Sequence, residues 1–455
     1  MNIRFCWEKI TRCALAVVLA FALTLGSPVS ALADVRLADL VMGESVEERG
    51  LSVAQCPSID AQFAFVMDTD GNVYFERNSN QETQIASITK VMTAIVALEE
   101  STMDTKVVVS EAAAYIGEST AALREGDAMT MDQALVAMLV SSGNDAALAI
   151  AETLGEKWKT ADQTPVQAFA AKMNEKASSL GMENSLFENS HGLDFDEYAG
   201  SLHSTAHDVA LMCSHAMKIQ AFRDIVKQPT ARITVTRDGE LTELELESTD
   251  KMLEEYEGAC GIKTGFTQLA GYSFAGACER NGKTLIGVVI NSSSEYQRFT
   301  DCEILFDWVF GHEKDYHLIN STQTTTITKN GQELTVPVVA SVSHQGWLDK
   351  TVLATVEDPD EKVHVFDLKG NISQEVVFDK ITEDVHVGDK LGTIYFKQHN
   401  ETVATVKMIS CENVNAPNMI EGIVIWFERL WADFSGEKSV ADSVLINTTP
   451  LLINR

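Results

Sequence analysis

The sequence predicts a mixed α+β domain with an antiparallel sheet, then a small all-β domain, then an amphipathic helix. Three observations carry that expectation. Between residues 61 and 310, strand patterns open and close the region and helical patterns fill its middle. After Gly311 the chain becomes rich in Thr and Val with regularly spaced turns. Ile420, Ile423, Val424, Phe427, Leu430, Trp431 and Phe434 then recur at helical spacing.

The first residues precede all of this and read as a processing signal. Arg4, Lys9 and Arg12 flank an apolar run, Cys13 to Leu25, and Ala31-Leu32-Ala33 offers small-x-small cleavage. The run is too short to span a bilayer comfortably. Residues 1–33 are therefore expected to be a cleaved secretory signal, and the protein to work outside the cytoplasm. The expected division of the rest is 34–315, 316–412 as a small β-sandwich, and 413–455 as helix and tail.

Residues 61–76 alternate around Asp70-Gly71, which predicts two strands and a tight turn. Asp68-Thr69-Asp70-Gly71-Asn72 lacks the ligand spacing and closing glutamate of a calcium loop, so it is read as a turn. Ile85, Ile88, Val91, Met92, Ile95 and Leu98 predict a helix. Leu135, Met138 and Leu139, then Ala147, Leu148 and Ile150, predict two more, broken at Ser-Ser-Gly-Asn. Pro165–Leu180 and Thr205–Lys218 are also helical in pattern. Strands return at 231–237, 270–278 and 283–291, and a helix over Tyr296–Phe310 closes the region. In the last segment the apolar stripe carries tryptophans suited to an interface, while its polar face holds Glu421, Glu428, Asp433 and one basic residue, Arg429. Packing on the β domain and lying on a membrane surface, through residues 419–434, are both open to it.

The chain carries 35 basic and 66 acidic residues, a formal charge of −31. That argues against nucleic acid, which demands a basic footprint, and against simple attraction to anionic lipid. Beyond the signal lie Cys56, Cys213, Cys260, Cys278, Cys302 and Cys411. None has C-x-x-C spacing, so neither a metal nor another cofactor is expected. Cys260 and Cys278 flank a hairpin pattern almost symmetrically and are the pair to form if any does; free buried thiols are the default reading.

Chemistry enters at Ser87-Ile88-Thr89-Lys90. Serine and lysine three apart share a helix face, so Lys90 can reach the Ser87 hydroxyl and act as its base. A lysine does so only when neutral, which calls for burial and a second cation nearby. Ser142-Gly143-Asn144 sits on a loop between helices, where a hydroxyl and an amide can face a cleft. Lys263-Thr264-Gly265 sits in a strand pattern, where lysine and threonine can hold a carboxylate and glycine allows close approach of substrate. The three in this order are far stronger than any alone. A second S-x-x-K, Ser435 to Lys438, has no such company.

On these residues the chain resembles the low-molecular-mass penicillin-binding proteins, the serine D-alanyl-D-alanine carboxypeptidases, over about residues 55–312. "M-N-E-K-A-S-S-L-G-M-E-N-S-L-F-E-N-S-H-G-L" (173–193), "H-S-T-A-H-D-V-A" (203–210) and "G-A-C-G-I-K-T-G-F-T-Q-L-A-G-Y-S" (258–273) extend the likeness. It implies a catalytic domain of the penicillin-binding protein and β-lactamase type, with a helical cluster on its sheet, and the β domain and membrane-surface helix that follow. It further implies a peptidoglycan stem peptide ending in D-Ala-D-Ala as substrate, β-lactams as inhibitors, and work at the outer face of the membrane or in the wall. Ser87 would be the nucleophile and Lys90 its base. Ser142 would relay a proton to the leaving group, and Asn144 would hold Lys90 and the substrate amide. Lys263 would supply the second cation and Thr264 would bind the terminal carboxylate. The N–H groups of Ser87 and Phe266 would form the oxyanion hole beside Gly265.

Three positions depart from the family. His207 stands where the family usually has arginine before the aspartate; if that arginine helps anchor the substrate carboxylate, His207 is expected to weaken the contact or make it pH-dependent. Ser190 replaces a proline, and only the backbone of Phe266 is expected to carry over. A Ser-His-Asp triad through His191 and Asp194 would leave Lys90 and Lys263 without a role. A class A β-lactamase would need a loop glutamate for deacylation, and no E-x-x-x-N segment stands in a suitable place between Asn144 and Lys263. A non-catalytic protein that binds wall peptide is the remaining alternative.

Overall fold

The computed structural model describes residues 39–329, 331–436 and 438–452, so the expected signal over 1–33 lies outside the described residues. The chain divides into two units, one through Phe310 and the other from Gly311 onward.

In the first unit the strands are Leu40–Val41 (β1), Glu44–Ser45 (β2), Phe63–Asp68 (β3), Val73–Arg77 (β4), Lys106–Val108 (β5), Ala128–Thr130 (β6), Thr230–Arg237 (β7), Glu240–Glu247 (β8), Ala259–Thr267 (β9), Gly271–Arg280 (β10) and Lys283–Ser292 (β11). They form an antiparallel seven-stranded sheet, β2-β1-β4-β3-β11-β10-β9, and a smaller one, β5-β6-β7-β8. The expected turn follows β3. Asp68 Oδ1 accepts from the N–H groups of Asp70 and Asn72, and Oδ2 from Asn72 Nδ2 and the Tyr74 hydroxyl. A carboxylate so engaged is a turn cap rather than a cation ligand.

Helices cover both faces of the large sheet. Gly276 and Gly287 are partners across β10 and β11, and a Cβ on either would lie 2.9 Å from Cys302 Sγ. The missing side chains let the Gln297–His312 helix press Cys302 and Phe306 onto the strands. The other face carries the main core. There Val91 and Ile95 of the Lys90–Glu100 helix join Leu135, Met138, Ile150, Phe169 and Val209 against Phe65, Ile286 and Val288.

Local signals explain the ends of these helices. Thr164 caps Pro165–Ser179 by accepting from the Gln167 N–H, while Gln167 reaches back to the Thr164 N–H, and proline occupies the first turn. This helix crosses Asn144–Trp158 at Gly155, where a Cβ would fall 1.8 Å from Pro165 O.

All six described cysteines are free thiols, five of them buried and Cys260 half-buried, so Cys260 and Cys278 do not pair. A bulge pairs Cys278 with Ala259 and Ala277 with Gly261, leaving Cys260 out of the ladder. Its thiol lies against a cavity beside Arg223, whereas Cys278 Sγ donates to Glu257 O at 3.6 Å.

The second unit begins at Gly311, slightly before the division expected at 315/316. Its strands are Glu313–His317 (β12), Thr324–Lys329 (β13), Gln332–Pro337 (β14), Ala340–Ser343 (β15), Thr351–Val356 (β16), Lys362–Phe366 (β17), Ile372–Phe378 (β18), Lys390–Gln398 (β19), Glu401–Ser410 (β20) and Val444–Leu445 (β21). β12 pairs with β17, β13 with β14, and a six-stranded sheet runs β18-β19-β20-β16-β15-β21. β21 makes part of the expected tail a member of the sheet, beside Ala340 and Ser341. The Met419–Ser435 helix is started by a capping box between Asn418 and Glu421 and stopped by Gly436 at φ +74°. Among the described residues no helix is long and apolar enough to cross a membrane.

Gly155→Ala forces apart two helices whose backbones touch. It is expected to destabilise the first unit by about 1–3 kcal/mol, the range for overpacking a tight core, read as a lower urea midpoint with unchanged slope.

Candidate active site

Ser87 lies in a 3-10 turn, Ala86–Thr89, that feeds directly into the Lys90–Glu100 helix. The turn is strained, with Ala86 at φ +48°. Two glycines hold it. A Cβ on Gly192 would lie 1.8 Å from Ala86 O, and one on Gly265 would lie 2.8 Å from Ile85 O. The glycine of the Lys263-Thr264-Gly265 motif therefore seats β9 against the Ser87 turn; the sequence had suggested only that it makes room for substrate.

Lys90 is fully buried at the start of its helix. Its Nζ lies 2.7 Å from Ser87 Oγ, 2.6 Å from Asn144 Oδ1 and 3.0 Å from His191 O. Burial, then the neighbouring charge of Lys263, hold its pKa well below that of an ordinary lysine, and Asp145 opposes them more weakly. Asn144 is the first residue of its helix, and its Nδ2 donates to Gly117 O at 3.1 Å. That bond turns the amide so that Oδ1 faces Lys90. Ser142, just before, is buried and held at φ +61°.

Lys263 is also buried, with Nζ 3.0 Å from Thr264 O and 3.4 Å from Thr264 Oγ1. Burial and the nearby Arg298 guanidinium bring its pKa down to about 7, against a smaller upward pull from Asp250. Thr264 Oγ1 shares a 2.7 Å hydrogen bond with Thr249 Oγ1.

These groups converge on one cleft of about 560 Å³. Ser87, Ser142, Asn144, Thr264, Gly265 and Phe266 line it, and Lys90 and Lys263 are buried among them. Phe266 is half exposed and stacks on Tyr272, with ring centroids 4.4 Å apart. Thr249 and Arg298 also line the cleft. The sequence reading missed both. Arg298 comes from the Gln297–His312 helix, donates to Gly265 O at 3.4 Å and pairs with Glu295 at 3.3 Å. Its only sequence signal was an arginine at the start of a helix after the last strand.

His207 is not where its expected role needs it. Its Nδ1 lies 3.1 Å from Asp208 Oδ1, its ring packs edge-on against Phe65, and it is absent from the cleft wall. The hydrogen bond to Asp208 raises its pKa, the largest of several influences. Arg298 instead brings a guanidinium to the cleft.

The histidine triad fails on geometry. His191 Nδ1 accepts from the Leu193 N–H at 3.2 Å, and Asp194 accepts from Thr267 Oγ1 at 2.7 Å. Burial brings the His191 pKa down to about 3, so the ring stays neutral. What it offers Lys90 is its backbone carbonyl, and Thr93 Oγ1 fastens the same loop by donating to Ser190 O at 2.6 Å. The second S-x-x-K is inert: Ser435 Oγ donates to Ala432 O, and the exposed Lys438 pairs with Asp442.

The model of the D-alanyl-D-alanine carboxypeptidase family matches residues 51–294. The chain is 26% identical over 387 residues to the D-alanyl-D-alanine carboxypeptidase DacF of Bacillus subtilis (strain 168), covering 83% of this chain and 90% of that protein. It is 33% identical over 264 residues to the D-alanyl-D-alanine carboxypeptidase of Streptomyces sp. (strain K15), covering 56% and 88%. A solved structure of a mutant of the Streptomyces K15 DD-transpeptidase superposes with a TM-score of 0.53 at 31% identity, over 56% of this chain and all of that one. The carboxypeptidase DacD from Francisella tularensis shares the fold over 79% of this chain at 23% identity, with a TM-score of 0.53. With the family match spanning more than half its length and the paired serine and lysine in the cleft, the chain belongs to the D-alanyl-D-alanine carboxypeptidase family.

Proposed function

We propose that the protein removes the terminal D-alanine from peptidoglycan stem peptides through an acyl-enzyme on Ser87. The observation that carries this reading is the set of partners around Lys90 Nζ. Asn144 Oδ1 and His191 O can only accept hydrogen bonds, so a neutral amine gives them its two protons. Its lone pair is then left facing Ser87 Oγ, the one partner with a proton to surrender. That is the geometry of a base beside its nucleophile.

The steps follow from that pair. Ser87 Oγ attacks the carbonyl between the two D-alanines and its proton passes to Lys90. The N–H groups of Ser87 and Phe266 stabilise the oxyanion. The carbon–nitrogen bond breaks as a proton reaches the leaving nitrogen through Ser142, and water then hydrolyses the ester. Thr264, Lys263 and Arg298 bind the terminal carboxylate, with Arg298 taking the part the sequence had given to His207. β-Lactams, whose ring resembles the dipeptide, acylate the same serine. The site of action is the outer face of the membrane or the wall.

The helix over 419–434 is read as a membrane-surface contact. Trp431 is 74% exposed and Phe434 84%, whereas Ile425 and Ala432 are buried. Arg429 is spent inside the unit, its guanidinium donating to Gln345 O at 2.5 Å and Trp347 O at 3.2 Å. Insertion would thus rest on apolar burial and not on attraction to anionic lipid.

The mature protein is expected to release D-alanine from diacetyl-Lys-D-Ala-D-Ala, while a Ser87→Ala variant neither releases it nor takes a fluorescent penicillin label. Labelling without release would leave an acylation site for another substrate; neither would end the enzyme reading.

The pH dependence has a defined sign. Acylation rises with pH as Lys90 loses its proton, below the ordinary lysine range. Carboxylate binding weakens as Lys263 loses its own near 7. The kcat/KM profile should be a bell whose falling limb starts near that value. In kcat the limb should move to higher pH, because the bound carboxylate favours the Lys263 cation.

Binding to neutral phosphatidylcholine vesicles should be detectable and gain little from added anionic lipid. A Trp431→Ala, Phe434→Ala double variant should lose at least about tenfold in partitioning, given roughly 1.5–3 kcal/mol for burying a large apolar side chain. Binding that salt abolishes would contradict the reading.

A further inference from the structure

We propose, resting on the carboxypeptidase reading, that Glu118 forms an ammonium-binding subsite and that the enzyme prefers stem peptides whose third residue carries a free amino group. Lys90 is engaged with Ser87, and Lys263 and Arg298 stand at the Thr264 side. Glu295 is held by Arg298 at 3.3 Å. Glu118 also lines the cleft, is exposed there, and has no hydrogen bond or ion pair to any described residue. Among the described residues it is the one carboxylate on the wall left for a ligand.

Its place is fixed by the catalytic machinery itself. Asn144 Nδ2 donates to Gly117 O at 3.1 Å, and the Asn144 N–H donates to Ser119 O at 2.8 Å. Glu118 therefore sits between two carbonyls that grip the residue touching Lys90. The chain just beyond is latched by Asp145, whose carboxylate accepts from the Ala121 and Leu123 N–H groups. Glu118 itself adopts φ +57°, so the loop cannot relax as an ordinary surface turn would.

The two walls of the cleft are thus polarised. One wall, β9 with Arg298, carries the cations and takes the terminal carboxylate. The other, with Ser142 and Asn144, carries an unpaired anion. A peptide with a carboxylate at its end and an ammonium on a long side chain before the scissile bond complements that pattern. A neutral or acylated side chain does not.

The test compares Nα-acetyl-Lys-D-Ala-D-Ala with its Nε-acetylated counterpart at neutral pH. The wild-type kcat/KM should favour the free amine about 2- to 5-fold, in keeping with an exposed ion pair. The preference should shrink toward parity in about 1 M salt, where the screening length falls to roughly 3 Å. In Glu118→Gln the ratio should drop to near unity, and in Glu118→Lys it should invert. Penicillin labelling of Ser87 in each variant reports an intact fold, and the ratio is insensitive to losses common to both peptides. Parity in the wild type, or an undiminished ratio in both variants, overturns the inference. Failure of the wild type to hydrolyse either peptide overturns the reading beneath it, and so is distinguishable.

Discussion

Burying Lys90 is the constraint around which the catalytic unit is arranged. A charged ammonium taken fully out of water is costly unless it is surrounded by oxygens, and the usual escape is to lose the proton. Three segments far apart in sequence supply the partners: Ser87 one turn away, Asn144 from the next helix pair, and the His191 carbonyl from a loop about a hundred residues on. Move any of them and the amine is left with an unmet donor or a misdirected lone pair. The folding cost of hiding the lysine is thus the same thing as the competence the proposed mechanism asks of it as a base.

That arrangement explains where strain and close contact collect. Ala86, next to Ser87, and Ser142, on the cleft wall, both hold positive φ values. Alanine and serine do not adopt that region without support from their surroundings. Support comes from Gly192 and Gly265, whose missing side chains allow a loop and a strand to lie on the Ala86 and Ile85 carbonyls just before Ser87. A methyl group at either position would push the loop or β9 away, and with it the His191 carbonyl or the lysine that lowers the pKa of Lys90.

Much of this was legible in the sequence because it is local. The Ser87–Lys90 spacing encodes a shared helix face, Ser142 to Asn144 mark a break between two periodic segments, and alternation around Lys263 encodes a strand. The order of helices and strands followed from the same periodicities. What was not legible depends on distance. Nothing near Arg298 in sequence announces that its helix will lie across the sheet and bring a guanidinium to Gly265 O. His207 drew a role from its neighbours in the chain, but its ring is turned toward Phe65 and Asp208. The symmetric placing of Cys260 and Cys278 yields no pair for a related reason: a single bulge, invisible in the alternation, takes one of them out of register.

The charge of Lys263 acts on Lys90, and in the proposed mechanism that would give substrate a part in readying its own base. Lys263 lowers the pKa of Lys90 only while it carries a charge, yet burial and Arg298 bring its own pKa down to about 7. Alone, the site therefore drifts toward a state in which one lysine loses its proton and the other regains appetite for one. A terminal carboxylate bound at Thr264, between Lys263 and Arg298, would neutralise the repulsion between those two cations and hold Lys263 protonated. The charge that keeps Lys90 neutral would then be strongest when a peptide is in place. A ligand without that carboxylate would forgo this effect as well as a hydrogen bond, so selection for a free C-terminus would act on the chemical step and on binding together.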